Sequence, residues 1–170
     1  MAVHIMTHPT DRILTIDLEA TCWEDQVAPD GQPQSVHNME PIEIGCALAT
    51  RDGVLLDSRS FLVRPTRYPK LSAFCQSLTG ITQDMADAAP RFPEAIDTLN
   101  HWLGQPADSF IWCSWGNYDR LHMQAQCELN RPEYSRHPSG SGNSDVHIQP
   151  VTGYQSCHGV ALGYRTFRCN

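Results

Sequence analysis

The chain has 170 residues and a formal net charge of −7, which fits one domain with a substantial core. The acidic balance argues against a broad, sequence-independent grip on duplex nucleic acid. No apolar run approaches the ~18 residues of a membrane span and no secretory signal is recognisable, so we expect no membrane contact. Seven cysteines without a C-x-x-C spacing favour free thiols and a cytoplasmic location over a disulfide framework or a zinc knuckle.

The first strong pattern is an apolar strand that ends in two acidic residues. Its apolar positions are Leu14, Ile16 and Leu18. Asp17 and Glu19 alternate with them and therefore share the opposite face of the strand. Two neighbouring carboxylates repel each other unless a cation lies between them, and oxygen ligands favour Mg²⁺ or Mn²⁺. The alternative is a half-buried edge strand with a solvated acidic face.

A polar loop and a β-hairpin are predicted next. Residues 24–38 are rich in Asp, Gln, Gly and Pro, which is typical of a loop. Apolar runs over 42–49 and 54–63 flank the turn pair Asp52–Gly53 and predict two antiparallel strands. With the first strand they would form a meander.

Helical spacing begins near Lys70 and predicts two helices. The first ends at Gly80, and the second has Pro93 in its first turn and Gly104 just beyond its end. The apolar positions of the two helices are Leu71, Phe74, Cys75 and Leu78, and then Phe92, Ile96, Leu99 and Leu103.

A short strand over 110–113 and a turn over 114–117 precede a third helix, which begins near Tyr118 with Asn117 as a suitable N-cap. The order β-β-β-α-α-β-α predicts an α/β domain whose last strand is reached by a helical crossover. The predicted buried stripe of the third helix is Leu121, Ala125 and Leu129.

Asp119 lies in the first turn of this third helix. Active sites of open α/β sheets collect at the carboxyl ends of the strands, so Asp119 can converge with Asp17 and Glu19. The alternative is a solvated acid that is favoured by the helix dipole.

The periodicity ends after residue 130, where Pro, Gly and Ser become frequent. We therefore divide the chain into a core domain over 1–130 and an irregular C-terminal segment over 131–170, an incomplete part of the same domain.

Four short stretches carry a resemblance to known proteins. They are Asp17-Leu18-Glu19-Ala20-Thr21-Cys22, Pro41-Ile42-Glu43-Ile44-Gly45, Leu78-Thr79-Gly80-Ile81-Thr82 and Ser114-Trp115-Gly116-Asn117-Tyr118-Asp119. In this order the chain resembles the DEDD superfamily of 3′–5′ exonucleases, which share an RNase H-like fold. It is most similar to the branch of histone-mRNA and small-interfering-RNA 3′-end exoribonucleases and their bacterial relatives.

The resemblance implies an RNase H-like mixed β-sheet flanked by helices, with an atypical or truncated C-terminal segment. It also implies a metal-dependent 3′–5′ exonuclease that acts on single-stranded RNA or DNA 3′ ends, with RNA expected over DNA. Asp17, Glu19 and Asp119 would be the first three acids of a four-carboxylate site for two Mg²⁺ or Mn²⁺ ions.

A pocket for the terminal nucleotide is implied as well. Its lining would come from the backbone and side chains around Leu18, Ala20, Thr21 and Trp23. Two further residues keep two interpretations each. Trp115 either stacks on a base or packs internally, and Glu43 either assists the metal ligands or simply faces solvent.

The C-terminal part departs from the family pattern. Family members carry a fourth acid on a late helix, with a histidine five positions before it or a tyrosine four before it as general base. Asp145, the only aspartate after Asp119, is preceded at these offsets by Gly140 and Ser141. The histidines of this region, none with a correctly spaced acid, are His137, His147 and His158.

The general base therefore stays unassigned. Loss of a general base alone typically costs 10²–10⁴-fold in rate. The alternative function is thus a catalytically impaired family member that binds nucleic-acid ends or a protein partner without turnover. The sequence leaves the oligomeric state open.

Overall fold

A computed structural model describes residues 12–104 and 110–134 of the chain. Within these two ranges, four strands and four helices follow one another as β1 (Arg12–Ala20), β2 (Pro41–Thr50), β3 (Leu55–Leu62), α1 (Ala73–Thr79), α2 (Gln83–Ala88), α3 (Phe92–Leu103), β4 (Ile111–Cys113) and α4 (Tyr118–Tyr134). The predicted order is confirmed except for α2, which the sequence analysis missed. With six residues, α2 is too short to show a helical period.

The four strands form one mixed sheet in the order β3-β2-β1-β4. β2 pairs antiparallel with both β1 and β3, and β4 pairs parallel with β1. The predicted meander and helical crossover are therefore confirmed. In the register of β1 and β2, Asp17 lies opposite Gly45 and Glu19 lies opposite Glu43.

The larger core cluster joins residues of β1, β2, β3, α3 and α4. β1 contributes Leu14, Ile16 and Leu18, all less than 9% exposed, so the predicted apolar face of this strand is its inner face. Because side chains alternate along a strand, Asp17 and Glu19 lie on the other face. A smaller cluster extends from Ala20 to α1 and α2.

The buried carboxylate of Glu40 ties three segments of the chain together. It accepts hydrogen bonds from the amides of Thr66, Arg67 and Tyr68 at 2.8, 2.8 and 3.1 Å, and from the Thr66 hydroxyl at 3.0 Å. The Glu40 amide donates to Thr21 Oγ1 at 2.9 Å, and its carbonyl accepts from the Thr21 amide at 2.8 Å. The segments after β1, before β2 and after β3 are thereby fixed to one another.

Both predicted glycine stops are confirmed. α1 ends at Gly80 (φ 76°) and α3 ends at Gly104 (φ 60°), and each glycine adopts the left-handed conformation that other residues rarely take.

The predicted buried stripe of α4 was wrong at two of its three positions. Leu121 is 43% exposed and Leu129 is 60% exposed, and only Ala125 is buried. The face that packs inward carries polar residues between apolar ones, so hydrophobic periodicity selected the wrong side of the helix. Over residues 118–130 of α4, the buried residues are Asp119, His122, Met123, Ala125 and Gln126.

The predicted boundary at residue 130 stays a prediction. α4 runs past it to Tyr134, and Asp145, His137, His147 and His158 lie outside the described residues. Among the cysteines, Cys46, Cys75 and Cys127 have free thiols, but Cys113 is disulfide-bonded, so the expectation of free thiols was wrong there. No helix in the described ranges is long and apolar enough to cross a membrane.

We expect the substitution Glu40→Ala to lower the free energy of unfolding by about 2 kcal/mol, because the amides of Thr66, Arg67 and Tyr68 lose their charged acceptor. Urea unfolding followed by circular dichroism measures the change. Glu128→Ala, at an exposed position of α4, is the matched control and should change stability by less than about 0.5 kcal/mol. Equal effects of the two substitutions would contradict this role of Glu40.

Candidate active site

Asp17 and Glu19 lie near the carboxyl end of β1, on the face of the sheet opposite the larger core cluster. The Glu19 side chain is half-buried, and Asp17 is exposed. The sequence prediction placed both acids on one strand face, and the register with β2 agrees with that placement.

Asp119 reaches the same point from α4. Its side chain is only 4% exposed, and Oδ1 accepts a hydrogen bond from the Leu18 amide at 3.2 Å. The β1–β4 ladder ends at Thr15 and Cys113, so beyond that point the carboxylate supplies the acceptor that a longer β4 backbone would provide. The structure therefore brings Asp119 to the strand segment that carries Asp17 and Glu19.

The pKa values of the three acids are all raised. Burial raises the pKa of Glu19 to about 7, and the charges of Asp17, Glu43 and Asp119 add to the increase. Burial and the charge of Asp17 raise the pKa of Asp119 to about 6, against the opposing hydrogen bond from Leu18. The acids are thus close enough to repel one another.

Asp17 and Glu43 complete the acidic group. The pKa of Asp17 is raised by partial burial and then by the charge of Glu43, although the residue as a whole is exposed. Glu43 is half-buried, lies directly opposite Glu19 in the sheet and accepts a hydrogen bond from the Ser60 hydroxyl. It therefore contributes to the field of the acids and is not a plain solvent-facing residue.

The chemistry of this group fits a hard divalent cation, since every donor is a carboxylate oxygen and the mutual repulsion favours a positive charge between them. The side chains are not gathered into a finished coordination shell. Within the described residues, no three His, Cys, Asp or Glu side chains are grouped closely enough to hold a metal ion. Asp17, Glu19 and Asp119 would have to turn toward one ion to bind it.

The residues predicted to line the nucleotide pocket are divided between core and surface. Leu18 and Ala20 belong to the two core clusters, and the Thr21 hydroxyl is engaged by the Glu40 amide. Any contribution of these three residues to a pocket therefore comes from their backbone. Trp23 is half-buried, with its ring edge-on to Tyr68 at 5.3 Å between centroids.

Trp115 is 82% exposed on the turn between β4 and α4. This exposure excludes internal packing. The other interpretation, that Trp115 stacks on a base, stays a prediction. The neighbouring Gly116 (φ 81°) permits the sharp turn on which the indole projects.

Three buried polar residues near the site were missed by the sequence analysis. They are Glu40, His122 and Gln126. A signal existed for two of them, because Asp119, His122 and Gln126 follow one another at helical spacing and form a polar stripe on α4. No pattern in the sequence marks Glu40.

The family model for exonucleases matches residues 14–137, which is most of the chain. The chain belongs to this exonuclease family. It is 34% identical over 130 residues to the human 3′-5′ exoribonuclease 1, covering 73% of this chain and 35% of that protein. It is also 34% identical over 123 residues to the probable 3′-5′ exonuclease KapD of Bacillus subtilis (strain 168), covering 71% of this chain and 55% of that protein.

Solved structures agree with this assignment. The nuclease domain of 3′hExo, a DEDDh family member bound to rAMP, superposes with a TM-score of 0.60 at 34% identity, covering 72% of this chain and 60% of that one. A second structure concerns the 3′-end specific recognition of the histone mRNA stem-loop by a 3′-exonuclease. It gives a TM-score of 0.61 at 32% identity and covers 74% of this chain and 55% of that one. The predicted RNase H-like fold and DEDD resemblance are confirmed.

The chain spans about a third of the length of the human relative and about half of KapD. Exonucleases of this family generally depend on divalent metal ions. The carboxylate group at the end of β1 is the place in this chain whose chemistry suits such an ion.

Without metal, we expect the acids to destabilise the protein as the pH rises. Glu19 has a folded-state pKa of about 7 against 4.5 when unfolded. The stability that this raised pKa provides is fully present below pH 4.5 and is lost as the pH rises through 7. Glu19→Gln should therefore become more stable relative to the natural protein between pH 5 and pH 8.

Thermal unfolding in EDTA at the two pH values measures this difference. Glu128→Gln, an exposed change of the same kind, serves as the control. A difference between Glu19→Gln and the natural protein that is the same at pH 5 and pH 8 would contradict the raised pKa.

Proposed function

We propose that this chain is a metal-dependent 3′–5′ exonuclease that removes nucleotides from single-stranded 3′ ends, with RNA as the preferred substrate. The observation that carries the proposal is the hydrogen bond that holds Asp119 against Leu18, between Asp17 and Glu19 on β1, in a member of the exonuclease family. The names of its relatives as 3′-5′ exoribonuclease and 3′-5′ exonuclease support the direction of attack.

Asp17, Glu19 and Asp119 would hold Mg²⁺ or Mn²⁺, two ions being expected for the family. When bound, such ions activate a water molecule and stabilise the leaving 3′-oxygen of a phosphodiester. The protein's part is to fix the acids. The Leu18 amide holds the Asp119 carboxylate, and the β1–β2 ladder sets the positions of Asp17 and Glu19.

Nothing in the comparisons favours the catalytically impaired alternative. Two similarities support the preference for RNA. One relative is named an exoribonuclease, and one similar structure concerns the recognition of a histone mRNA stem-loop by a 3′-exonuclease. A contact with the 2′-hydroxyl is the physical feature that discriminates RNA from DNA. The cytoplasmic location inferred from the cysteines remains a proposal.

We expect stepwise 3′ shortening of a 5′-labelled single-stranded RNA in Mn²⁺, resolved on a denaturing gel, and none in EDTA. Asp17→Ala should reduce the rate at least about 100-fold, since losing even the outer partners of metal ligands costs about 10–100-fold. Asp97→Ala, an exposed acid on α3, is the control and should retain the full rate. A matching DNA strand tests the preference for RNA.

Two results would overturn the proposal. Shortening that persists in Asp17→Ala would belong to another site or another protein. Absence of shortening by the natural protein in Mn²⁺ would mean that the chain does not turn over such ends.

We expect Trp115 to stack on a substrate base. Stacking on an aromatic side chain is worth about 1–3 kcal/mol per base, so Trp115→Ala should raise KM for single-stranded RNA about 5–100-fold. Because the side chain is 82% exposed, the melting temperature should not change. Trp115→Phe, which retains an aromatic face, should keep most of the affinity, and an unchanged KM in Trp115→Ala would exclude stacking.

A further inference from the structure

Two residues of the polar stripe of α4 form hydrogen bonds with one backbone carbonyl in the loop that precedes β2. His122 is completely buried, and its Nε2 lies 2.9 Å from the Met39 carbonyl oxygen. Gln126 Nε2 donates to the same oxygen at 3.1 Å. Since a carbonyl can only accept, we assign the proton of the neutral imidazole to Nε2.

The Met39 side chain is held from the same helix. The Tyr118 hydroxyl lies 3.8 Å from Met39 Sδ, and the Tyr118 ring packs edge-on against the His122 ring at 5.4 Å between centroids. The N-terminal part of α4, from Tyr118 to Gln126, carries Asp119 and therefore also fixes the position of Met39.

From Met39 the connection continues to the predicted nucleotide pocket. Two hydrogen bonds join the next residue, Glu40, to Thr21. The Thr21 amide donates to the Glu40 carbonyl at 2.8 Å, and the Glu40 amide donates to Thr21 Oγ1 at 2.9 Å. Thr21 is two residues from Glu19. The helix that supplies Asp119 is thus linked through Met39 and Glu40 to the backbone that follows Glu19.

Volume alone does not account for a histidine at position 122. Its Nδ1 atom is buried and has no hydrogen-bond partner within the described residues. Leaving a buried polar atom unpaired costs about 1–3 kcal/mol, which an apolar side chain of similar size would avoid. The feature that such a side chain would lose is the Nε2–H that holds Met39.

We propose that His122 and Gln126 are positioning residues of the pocket for the terminal nucleotide. By holding the Met39 carbonyl they keep the Thr21 backbone in place beside Glu19, so that a nucleoside 5′-monophosphate unit meets a preformed surface. Neither residue touches the reacting atoms. The inference rests on the proposed function and assigns to this site a part of α4 that lies beyond Asp119.

The test compares variants that lose the donor with variants that keep it. His122→Leu and Gln126→Leu remove one donor each, and His122→Gln retains an N–H at this position. Gln124→Leu is the matched control. Gln124 lies on the same helix but is half-buried, and its side chain accepts a hydrogen bond from Arg120. Each protein is assayed for KM and kcat on single-stranded RNA and for adenosine 5′-monophosphate binding by calorimetry, both in Mn²⁺.

We expect His122→Leu and Gln126→Leu to raise KM and the dissociation constant of adenosine 5′-monophosphate about tenfold, with kcat within about threefold, because the acids are untouched. His122→Gln should restore most of the affinity, and Gln124→Leu should change neither constant. A general loss of stability would instead reduce the active fraction, lowering kcat at unchanged KM.

Three outcomes overturn the inference. One is a fall in kcat at constant KM, another is His122→Gln as impaired as His122→Leu, and the third is a Gln124→Leu effect equal to that of Gln126→Leu. If His122→Leu does not fold, Gln126→Leu and His122→Gln decide the question.

Failure of the proposed function is recognised separately. A natural protein that binds adenosine 5′-monophosphate without shortening RNA fails that proposal, and the binding comparison still decides the role of His122 and Gln126. A natural protein that neither binds nor shortens fails both.

Discussion

The hydrogen bond from the Leu18 amide to the Asp119 carboxylate is the contact on which the candidate active site depends. It joins residues that are 101 positions apart, and it lies just beyond the point where β4 stops pairing with β1. Because the two strands are parallel, the chain leaves β4 at the edge of the sheet where the acids of β1 lie. The first turn of α4 is then close enough to bring its carboxylate to the backbone of β1.

The acids gathered there are placed where their charges are unfavourable. Burial and mutual repulsion hold the pKa of Glu19 near 7 and that of Asp119 near 6, and Glu43 adds a further charge from across the sheet. A protein that only needed to fold would be more stable with fewer acids at this point. Since a metal ion binds the ionised carboxylates, loading near neutral pH should release protons, and the electrostatic cost of the metal-free fold becomes a driving force for binding.

The sequence was informative wherever local rules decide the structure. Strand alternation placed Asp17 and Glu19 on one face, and Gly80 and Gly104 marked two helix ends. It failed where a polar side chain is buried because of a partner far along the chain. His122 and Gln126 turn inward toward Met39, 83 and 87 residues away, so counting apolar residues selected Leu121 and Leu129 on the wrong side of α4. The buried role of Glu40 depends in the same way on amides 26–28 residues away.

These same separations set the order in which the site can form. The β1–β2–β3 meander is built from pairings between consecutive strands, which close smaller loops. Asp119 and His122 must instead be brought back across more than 80 residues to reach Leu18 and Met39. The carboxylates therefore come together only after α4 has been synthesised and has docked. A nascent chain that still lacks this helix already carries Asp17 and Glu19, but it cannot yet assemble the group that would bind metal.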